Sequence, residues 1–467
     1  MEKGRSKNVL LLHAPFNEYS FGKRWKANKS LAPPLGLLYL GAPLLREGYN
    51  VTFLDLNVDK LSRKEFLKII TVQDFILITC YTLVLNNVQK IIKDIQEVNP
   101  KGFILCGGPH CNITHKYIEG SFLTCLGEAE GYITHILNSI VQKTSLEDIP
   151  GLIYKKDGKI IKNPGVMQVK NLDSSIFPAW ELIDKKKYGY LGNARLNLAW
   201  LMSTRGCPFN CHFCARMIYS QYRARSVDNV VNEIKCLVKQ GYRYIAFGDD
   251  NFLLNKKRVH KIMDRIIGEK IKIKMAVQGR VDSVDFNLFQ KMRKAGVIAV
   301  FFGIESANQD VLDFYNKRTT VEQGINAIKL ANKAGLITVG FFIIGAPFET
   351  EKHIKQNLEY FDTVPLDLIS CYDLTYVVGT QLWINAVKKG VIDESELFVR
   401  ADKRLSNYSS EEISGIKNSF TKYFYKNPRR LLRIQYKALQ LGEPGLIFKG
   451  LLNVGAILSK MRGSSTY

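Results

Sequence analysis

Short apolar runs alternate with amphipathic helical patterns twice along this chain, and few architectures accept that rhythm. In residues 1–140 the runs Val9–His13, Val51–Asp55, Phe75–Thr79 and Gly102–Cys106 read as buried parallel strands. Helical stretches Leu35–Glu47, Ser62–Ile70 and Leu85–Val98 separate them. Fully apolar strands between helices predict a doubly wound α/β sheet, whose ligands sit beyond the carboxyl ends of the strands. The segments there are Cys80–Thr82, Gly107–His110 and Gly127–Glu130. A dinucleotide site would need G-x-G-x-x-G after the first strand, where Pro15-Phe16-Asn17 stands instead. The buried cysteines Cys80, Cys106, Cys111 and Cys125 read as small apolar side chains at strand ends.

Residues 141–194 read as a hairpin turning at Asp157-Gly158, followed by a linker. The stretch Phe177–Trp180 is expected to staple the two flanking domains together. From 195 to 385 a second alternation has strands at Leu198–Ser203, Tyr244–Gly248, Lys274–Val277, Val300–Ile304, Val339–Ile344 and Cys371–Tyr376. Six such units are too few for a closed eight-stranded barrel and predict an open, partial (β/α)6 barrel. Polar residues cluster at its strand ends, where barrels keep their chemistry. They are Asp249-Asp250, Gln278 to Asp282, Glu305-Ser306 and Gly345 to Thr350, with Asp282, Ser306 and Thr350 read as helix N-caps.

The chemistry centres on Ser203 to Arg216, which carries Cys207, Cys211 and Cys214 spaced C-x-x-x-C-x-x-C directly after a strand. Three thiolates on one tight loop suit a soft metal or cluster. An iron–sulfur cubane normally takes four cysteines, so three leave one iron open. The competing reading is a zinc knuckle with His212 as fourth ligand, although zinc motifs usually pair two C-x-x-C units.

This spacing resembles the signature of the radical S-adenosylmethionine (radical SAM) enzymes. The resemblance implies a [4Fe-4S] cluster on Cys207, Cys211 and Cys214, with S-adenosylmethionine chelating the open iron and Phe213 against its adenine. By the same resemblance Asp249 and Asp250 handle the SAM amino group, and Arg280 and Glu305 its carboxylate and ribose. Arg223 and Arg225, in the shared stretch Tyr222–Ser226, are either solvated charge or cofactor contacts. The amino-terminal layout is similar to the cobalamin-binding domain fused ahead of many such enzymes. The residues carrying that likeness are Pro33–Leu37, Thr79–Thr82, Gly107–His110 and Gly127-Glu128. Thr82, Gly107, Gly108, His110, Gly127 and Glu128 are thereby implied as cofactor-binding, with His110 alternatively a helix-start residue. No D-x-H-x-x-G follows the first strand, which implies cobalamin held without a protein histidine.

The expected whole is a flavodoxin-like sheet domain (1–140), hairpin and linker (141–194), radical SAM partial barrel (195–385) and helical basic region (386–467). The implied activity is methylation of an unactivated carbon on a lipid or other natural product. Cyclisation, ring contraction or rearrangement without methyl transfer is the alternative, and RNA modification a further one. The implied partners are a small-molecule or lipid substrate and an electron donor such as ferredoxin or flavodoxin.

Net charge is +23, from 66 basic and 43 acidic residues, which favours anionic partners. Much of the excess lies beyond Ile416, where basic and apolar residues interleave and Asn427-Pro428 opens a basic amphipathic helix. Three readings stand open there: a cap on the barrel, a helix on an anionic membrane, or a nucleic-acid patch. Nucleic acid is not the expected partner, because the tail reads helical and no second cysteine cluster lies upstream. Nine cysteines, no secretory h-region at the start and no apolar run of bilayer length lead to a cytoplasmic expectation, with peripheral membrane contact through the tail.

Overall fold

The computed structural model describes residues 7–17, 19, 32–191, 194–215 and 221–442. Arg216 of the cysteine motif, and the tail with Lys449, Lys460, Arg462 and the apolar stretch Gly445 to Leu458, lie outside the described residues. The chain divides into two compact units, Met1–Tyr190 and Leu191–Tyr467.

The first unit is built on β1 (Asn8–His13), β2 (Asn50–Asp55), β3 (Phe75–Thr79), β4 (Phe103–Gly107), β5 (Leu123–Cys125), β6 (Leu152–Lys156) and β7 (Lys159–Lys162). They form one sheet in the order β2-β1-β3-β4-β5-β6-β7. The first five are parallel and the last two antiparallel. Helices α1 (Leu35–Arg46), α2 (Arg63–Thr71), α3 (Leu85–Val98), α4 (Pro109–Thr114) and α5 (Ile133–Gln142) connect the parallel strands and follow the last of them. Strand side chains alternate, so Leu10, Leu12, Ile76 and Ile78 enter one core while Val9, Leu11, Phe75 and Leu77 enter another. Two apolar faces demand cover on both sides, which is the physical reason for double winding.

Two departures from the sequence reading fall here. The hairpin of β6 and β7 is not a free-standing connector, because β6 pairs with β5 and extends the sheet. The 177–180 stretch packs inside the first unit: Ala179 N–H donates to the Leu38 carbonyl at 3.0 Å, and Trp180 is buried. An aromatic-rich segment finds the nearest apolar groove, here beside α1, and its sequence does not name the partner.

The second unit holds six parallel strands in chain order: Leu198–Leu201, Tyr244–Phe247, Lys274–Gly279, Val297–Glu305, Ile337–Ile344 and Leu368–Asp373. Helices α6 (Val227–Lys239), α7 (Lys256–Gly268), α8 (Phe286–Lys294), α9 (Gln309–Phe314), α10 (Val321–Lys333) and α11 (Glu351–Thr363) fill the crossovers. The first and last strands do not pair, so the partial barrel is open as expected.

Beyond it come α12 (Gln381–Lys388), α13 (Ser410–Lys426) and α14 (Pro428–Gln440). Several basic residues of the tail are tied to the barrel. Arg433 Nε and Lys437 Nζ lie 2.9 and 2.6 Å from Asp367, and Arg430 donates to the Phe361 carbonyl at 2.5 Å. Leu441 packs with Ile298 and Ala299. Among the described residues the region therefore caps the barrel.

Candidate functional site

In the second unit the cysteine loop leaves the first barrel strand and is pinned where it starts. Asp249, at the end of the second strand and fully buried, accepts from Ser203 N–H at 2.6 Å, Ser203 Oγ at 2.5 Å and Thr204 N–H at 3.1 Å. Burial pushes the Asp249 carboxyl above its ordinary range, against the pull of these bonds and of the Arg258 guanidinium. Arg258, which the sequence did not single out, donates to Ser203 O at 3.0 Å and to Arg225 O at 2.9 Å. Arg225 is itself buried in an ion pair with Glu233 and donates to Met202 O at 2.9 Å. It is thus a framework residue here, not a solvated charge. Asp250 accepts from Gly206 N–H at 3.1 Å, one residue before Cys207.

Cys207, Cys211 and Cys214 are free thiols, none of them fully buried. Arg280, at the end of the third strand, places a guanidinium nitrogen 3.9 Å from Cys211 Sγ and stacks 3.7 Å over the Phe209 ring. Its other donors go to Asp282 at 2.7 Å and to Lys317 O at 2.8 Å. Asp282 is therefore an ion-pair partner and not the N-cap expected. Ser306 likewise accepts from Asn308 N–H, while Thr350 does cap α11.

Glu305, ending the fourth strand, pairs with Lys317 Nζ at 2.6 Å, both side chains under a tenth exposed. Lys317 lies 5.9 Å from the Phe213 ring, and Phe213 meets Tyr315 edge-on at 5.2 Å. His212 donates its backbone N–H to Tyr315 O at 2.8 Å and sets Nδ1 3.0 Å from Phe314 O. One patch thus gathers the cysteine loop, Phe213, Asp249, Asp250, Arg280 and Glu305. Three thiols on a half-exposed loop, with a cation beside one sulfur, fit a thiolate-held cluster.

In the first unit the sheet's carboxyl edge carries the residues expected from the sequence to bind the second cofactor. Cys80 N–H donates to Gly107 O at 2.7 Å, and His110 N–H to Cys80 O at 2.9 Å, knitting the exits of β3 and β4. Gly108 takes φ +102°, and a Cβ there would stand 2.8 Å from Thr79 Oγ1 and 3.2 Å from the Cys80 backbone. His110 is buried at the start of α4 with Nδ1 3.2 Å from Thr82 Oγ1, and burial pushes its imidazole below the ordinary value. Gly127 and Glu128 serve the backbone: a Cβ on Gly127 would lie 2.0 Å from Met167 O, and Glu128 accepts from Val169 N–H at 2.7 Å. They anchor the 167–169 segment beside β5.

Sequence reasoning set aside Asp55-Leu56-Asn57 as a fragment without histidine and did not pair Asp55 with His13, yet the two side chains meet at 3.0 Å at the ends of β1 and β2. The available signal was a polar residue closing each of two otherwise apolar strands. Among the described residues His13 Nε2 is buried without a partner, and the edge bare of side-chain bulk at Gly107-Gly108 fits the close approach of a large ligand.

The Radical SAM superfamily model matches residues 201–361 and the B12 binding domain model residues 28–137. An uncharacterized methyltransferase of Pyrococcus horikoshii, PH0819, is 31% identical over 414 residues, 86% of this chain and 89% of its own. An anaerobic magnesium-protoporphyrin IX monomethyl ester cyclase of Rubrivivax gelatinosus is 29% identical over 365 residues, 75% of this chain and 64% of its own. The structure of the radical S-adenosylmethionine methyltransferase TsrM from Kitasatospora setae, with cobalamin and a [4Fe-4S] cluster bound, aligns at TM-score 0.67. That alignment covers 82% of this chain and 75% of that one at 17% identity, a likeness of fold. The chain belongs to the radical SAM enzymes that carry an amino-terminal B12-binding domain, and its cofactors are a [4Fe-4S] cluster, S-adenosylmethionine and cobalamin.

Proposed function

We propose that this enzyme transfers a methyl group to an unactivated carbon of a lipid or other natural product. The observation that carries the reading is that one chain holds both a three-cysteine loop on a partial barrel and a doubly wound sheet whose carboxyl edge fits a corrinoid. When bound, the cofactors supply reductive carbon–sulfur cleavage, hydrogen abstraction from carbon and a transferable methyl group.

The chain's own residues hold and orient them. Cys207, Cys211 and Cys214 bind the cluster, and Arg280 sets a fixed positive charge beside Cys211. Asp249 acts through the loop, since its oxygens are engaged by Ser203 and Thr204, and so is a positioning residue. Asp250 is the better placed of the two carboxylates for the SAM amino group. Phe213, held edge-on by Tyr315, offers its ring to adenine, and the Glu305–Lys317 pair beside it serves the carboxylate and ribose. Thr82, Gly107, Gly108 and His110 line the corrinoid edge, which Gly127 and Glu128 brace.

A reductant and a substrate are required by the family chemistry; ferredoxin or flavodoxin suits the former, given the basic charge of the chain. Exposed Leu432, Tyr436 and Leu439 line one face of α14, with exposed Lys426 and Arg429 near its start. That face suits an anionic membrane and a lipid substrate. Among the described residues no helix is long and apolar enough to cross a membrane. The likeness to the anaerobic cyclase supports a second reading, ring formation without methyl transfer.

Anaerobically reconstituted enzyme given reductant, methyl-labelled S-adenosylmethionine and lipid or small-molecule fractions of its source cells tests the proposal. Label in an extracted product, dependent on added cobalamin, is expected. 5′-Deoxyadenosine without label transfer to any fraction would replace methylation with the second reading.

A further inference from the structure

The parallel strands of the second unit begin at the face opposite the cysteine loop, and that amino-terminal face is basic. A cavity of about 820 Å³ opens there, within the size range of small-molecule sites. Arg195 to Asn197 lead into the first strand, Arg243 into the second, Lys272 and Ile273 into the third and Gly296 into the fourth. Arg293, in the last turn of α8, and Leu441 and Gly442, just past α14, complete the wall. Arg195, Arg243, Lys272, Lys274 and Arg293 bring five positive charges, and no described residue of the lining is acidic. Like charges gathered round one cavity repel, and an anion among them relieves that repulsion.

Cations near helix ends often serve the helices. Here the backbone already does so. The last carbonyls of α6 accept from Gln240, Gly241 and Tyr242 N–H, and those of α7 from Glu269, Lys270 and Ile271 N–H, at 2.9 to 3.1 Å. Arg243 and Lys272 are exposed, and among the described residues neither side chain has a hydrogen-bond or ion-pair partner. Arg195 spends one nitrogen on Asn197 Oδ1 at 3.2 Å, while its Nε is buried without a partner. A buried donor in that state asks for an acceptor. Lys274 Nζ and Arg293 donate to Leu441 O at 2.9 Å and Gln440 O at 3.3 Å, which fixes two of the cations at the wall. Glu443, next in sequence, brings one carboxylate, and the residues after it add Lys449, Lys460 and Arg462. The chain's own continuation is thus of the wrong charge to satisfy the cavity.

We propose that this cavity binds a phosphate-bearing anion of two or more charges, a diphosphate or the headgroup of an anionic lipid. The third strand, Lys274–Gly279, has its amino end at the cavity and its carboxyl end beside Arg280, and six residues span about 20 Å. The anion site is therefore remote from the cysteine loop and independent of the reaction proposed above. A lipid source has a physical basis, because Leu441 follows directly on α14, whose Tyr436 and Leu439 are exposed.

The test is calorimetric titration of the anaerobically purified full chain, with its cofactors, against inorganic pyrophosphate. One saturable site is expected, weakened at least tenfold in the double variant Arg243→Gln with Lys272→Gln. Lys388→Gln with Lys389→Gln removes the same charge from exposed positions at the end of α12 and should bind as wild type. Without any variant, bound pyrophosphate should slow acetylation of Lys272 and leave Lys388 and Lys389 unchanged, so misfolding of a variant does not remove the test. Flotation with phosphatidylglycerol vesicles separates the sources. Flotation lost in the Arg243 and Lys272 variant, and competed by pyrophosphate, assigns a lipid headgroup; unchanged flotation assigns a soluble anion. No saturable binding, undiminished binding in that variant, equal weakening in both variants, or Lys272 as reactive as before overturns the inference. None of these results touches the methyl-transfer reading.

Discussion

Glu305 carries a backbone φ of +66° while its carboxylate is paired with Lys317, a combination of strain and buried charge at one residue. Left-handed backbone in a residue other than glycine persists only where the surroundings over-determine it, and such sites cluster at functional positions. Removing one partner of a buried pair strands the other, at a cost of about 3–5 kcal/mol. Lys317→Met is expected to destabilise the second unit by that order, and Lys317→Met with Glu305→Leu to recover most of it, both read by denaturant unfolding. A double variant no better than the single would remove the pair from the account.

Gly127 makes a second residue-scale case. A side chain there meets Met167 O at 2.0 Å and must keep φ +100°, so Gly127→Ala is expected to lower stability by more than about 1 kcal/mol. An unchanged melting temperature would contradict it. At this scale the sequence displayed Glu305, Phe213 and the cysteines, because each follows a strand or fills a fixed spacing. It did not display Lys317, Tyr315 or Arg258, which reach the patch from other crossovers and read alone as ordinary surface or core residues.

Asp285 caps α8, its side chain accepting from Leu288 N–H at 2.9 Å with Lys256 Nζ at 3.2 Å. Slight burial raises its carboxyl, but the Leu288 bond and the Lys256 charge leave it below the ordinary value. A depressed folded value means the stabilisation is complete above the unfolded pKa, about 3.9, and is lost as pH falls through the folded one. Asp285→Ala is thus expected to cost about 1 kcal/mol at neutral pH. The difference from wild type should close in acid, and a difference that persists there would contradict the capping role.

The strands and long helices were legible as elements because period and apolar content agree over many residues. The short β5, Leu123–Cys125, and α4 were not, since three to six residues carry too little period. Helix α14 was legible only in part. Its amphipathic pattern was plain, yet Arg430, Arg433 and Lys437 turn to the barrel while Leu432, Tyr436 and Leu439 stay exposed. Deleting the tail would therefore disturb the barrel, and substitution is the cleaner probe. Replacing Leu432, Tyr436 and Leu439 with serine is expected to abolish flotation with anionic vesicles and leave thermal stability near wild type. Unchanged flotation would reject the membrane face.

At the scale of the whole molecule, two units with separate cores each carry a candidate site, and apart from the cysteine loop the residues of each come from separate strand ends. Strand ends supply nearly all of them, because parallel sheets gather carboxyl termini along one edge regardless of chain distance. This is why the fold class and the cysteine loop were legible in the sequence, whereas the contacts that bring Lys317, Tyr315 and Arg258 to the patch were not.

The account turns on one iron left without a protein sulfur. Hyperfine spectroscopy of the reduced, reconstituted cluster with S-adenosylmethionine labelled with ¹⁵N at its amino group addresses that iron directly. The ¹⁵N coupling to the cluster should appear with the labelled compound and be absent when the compound is unlabelled or left out, while iron is lost from a variant with Cys207, Cys211 and Cys214 all changed to alanine. A cluster that shows no coupling to the label, or zinc in its place, would contradict it.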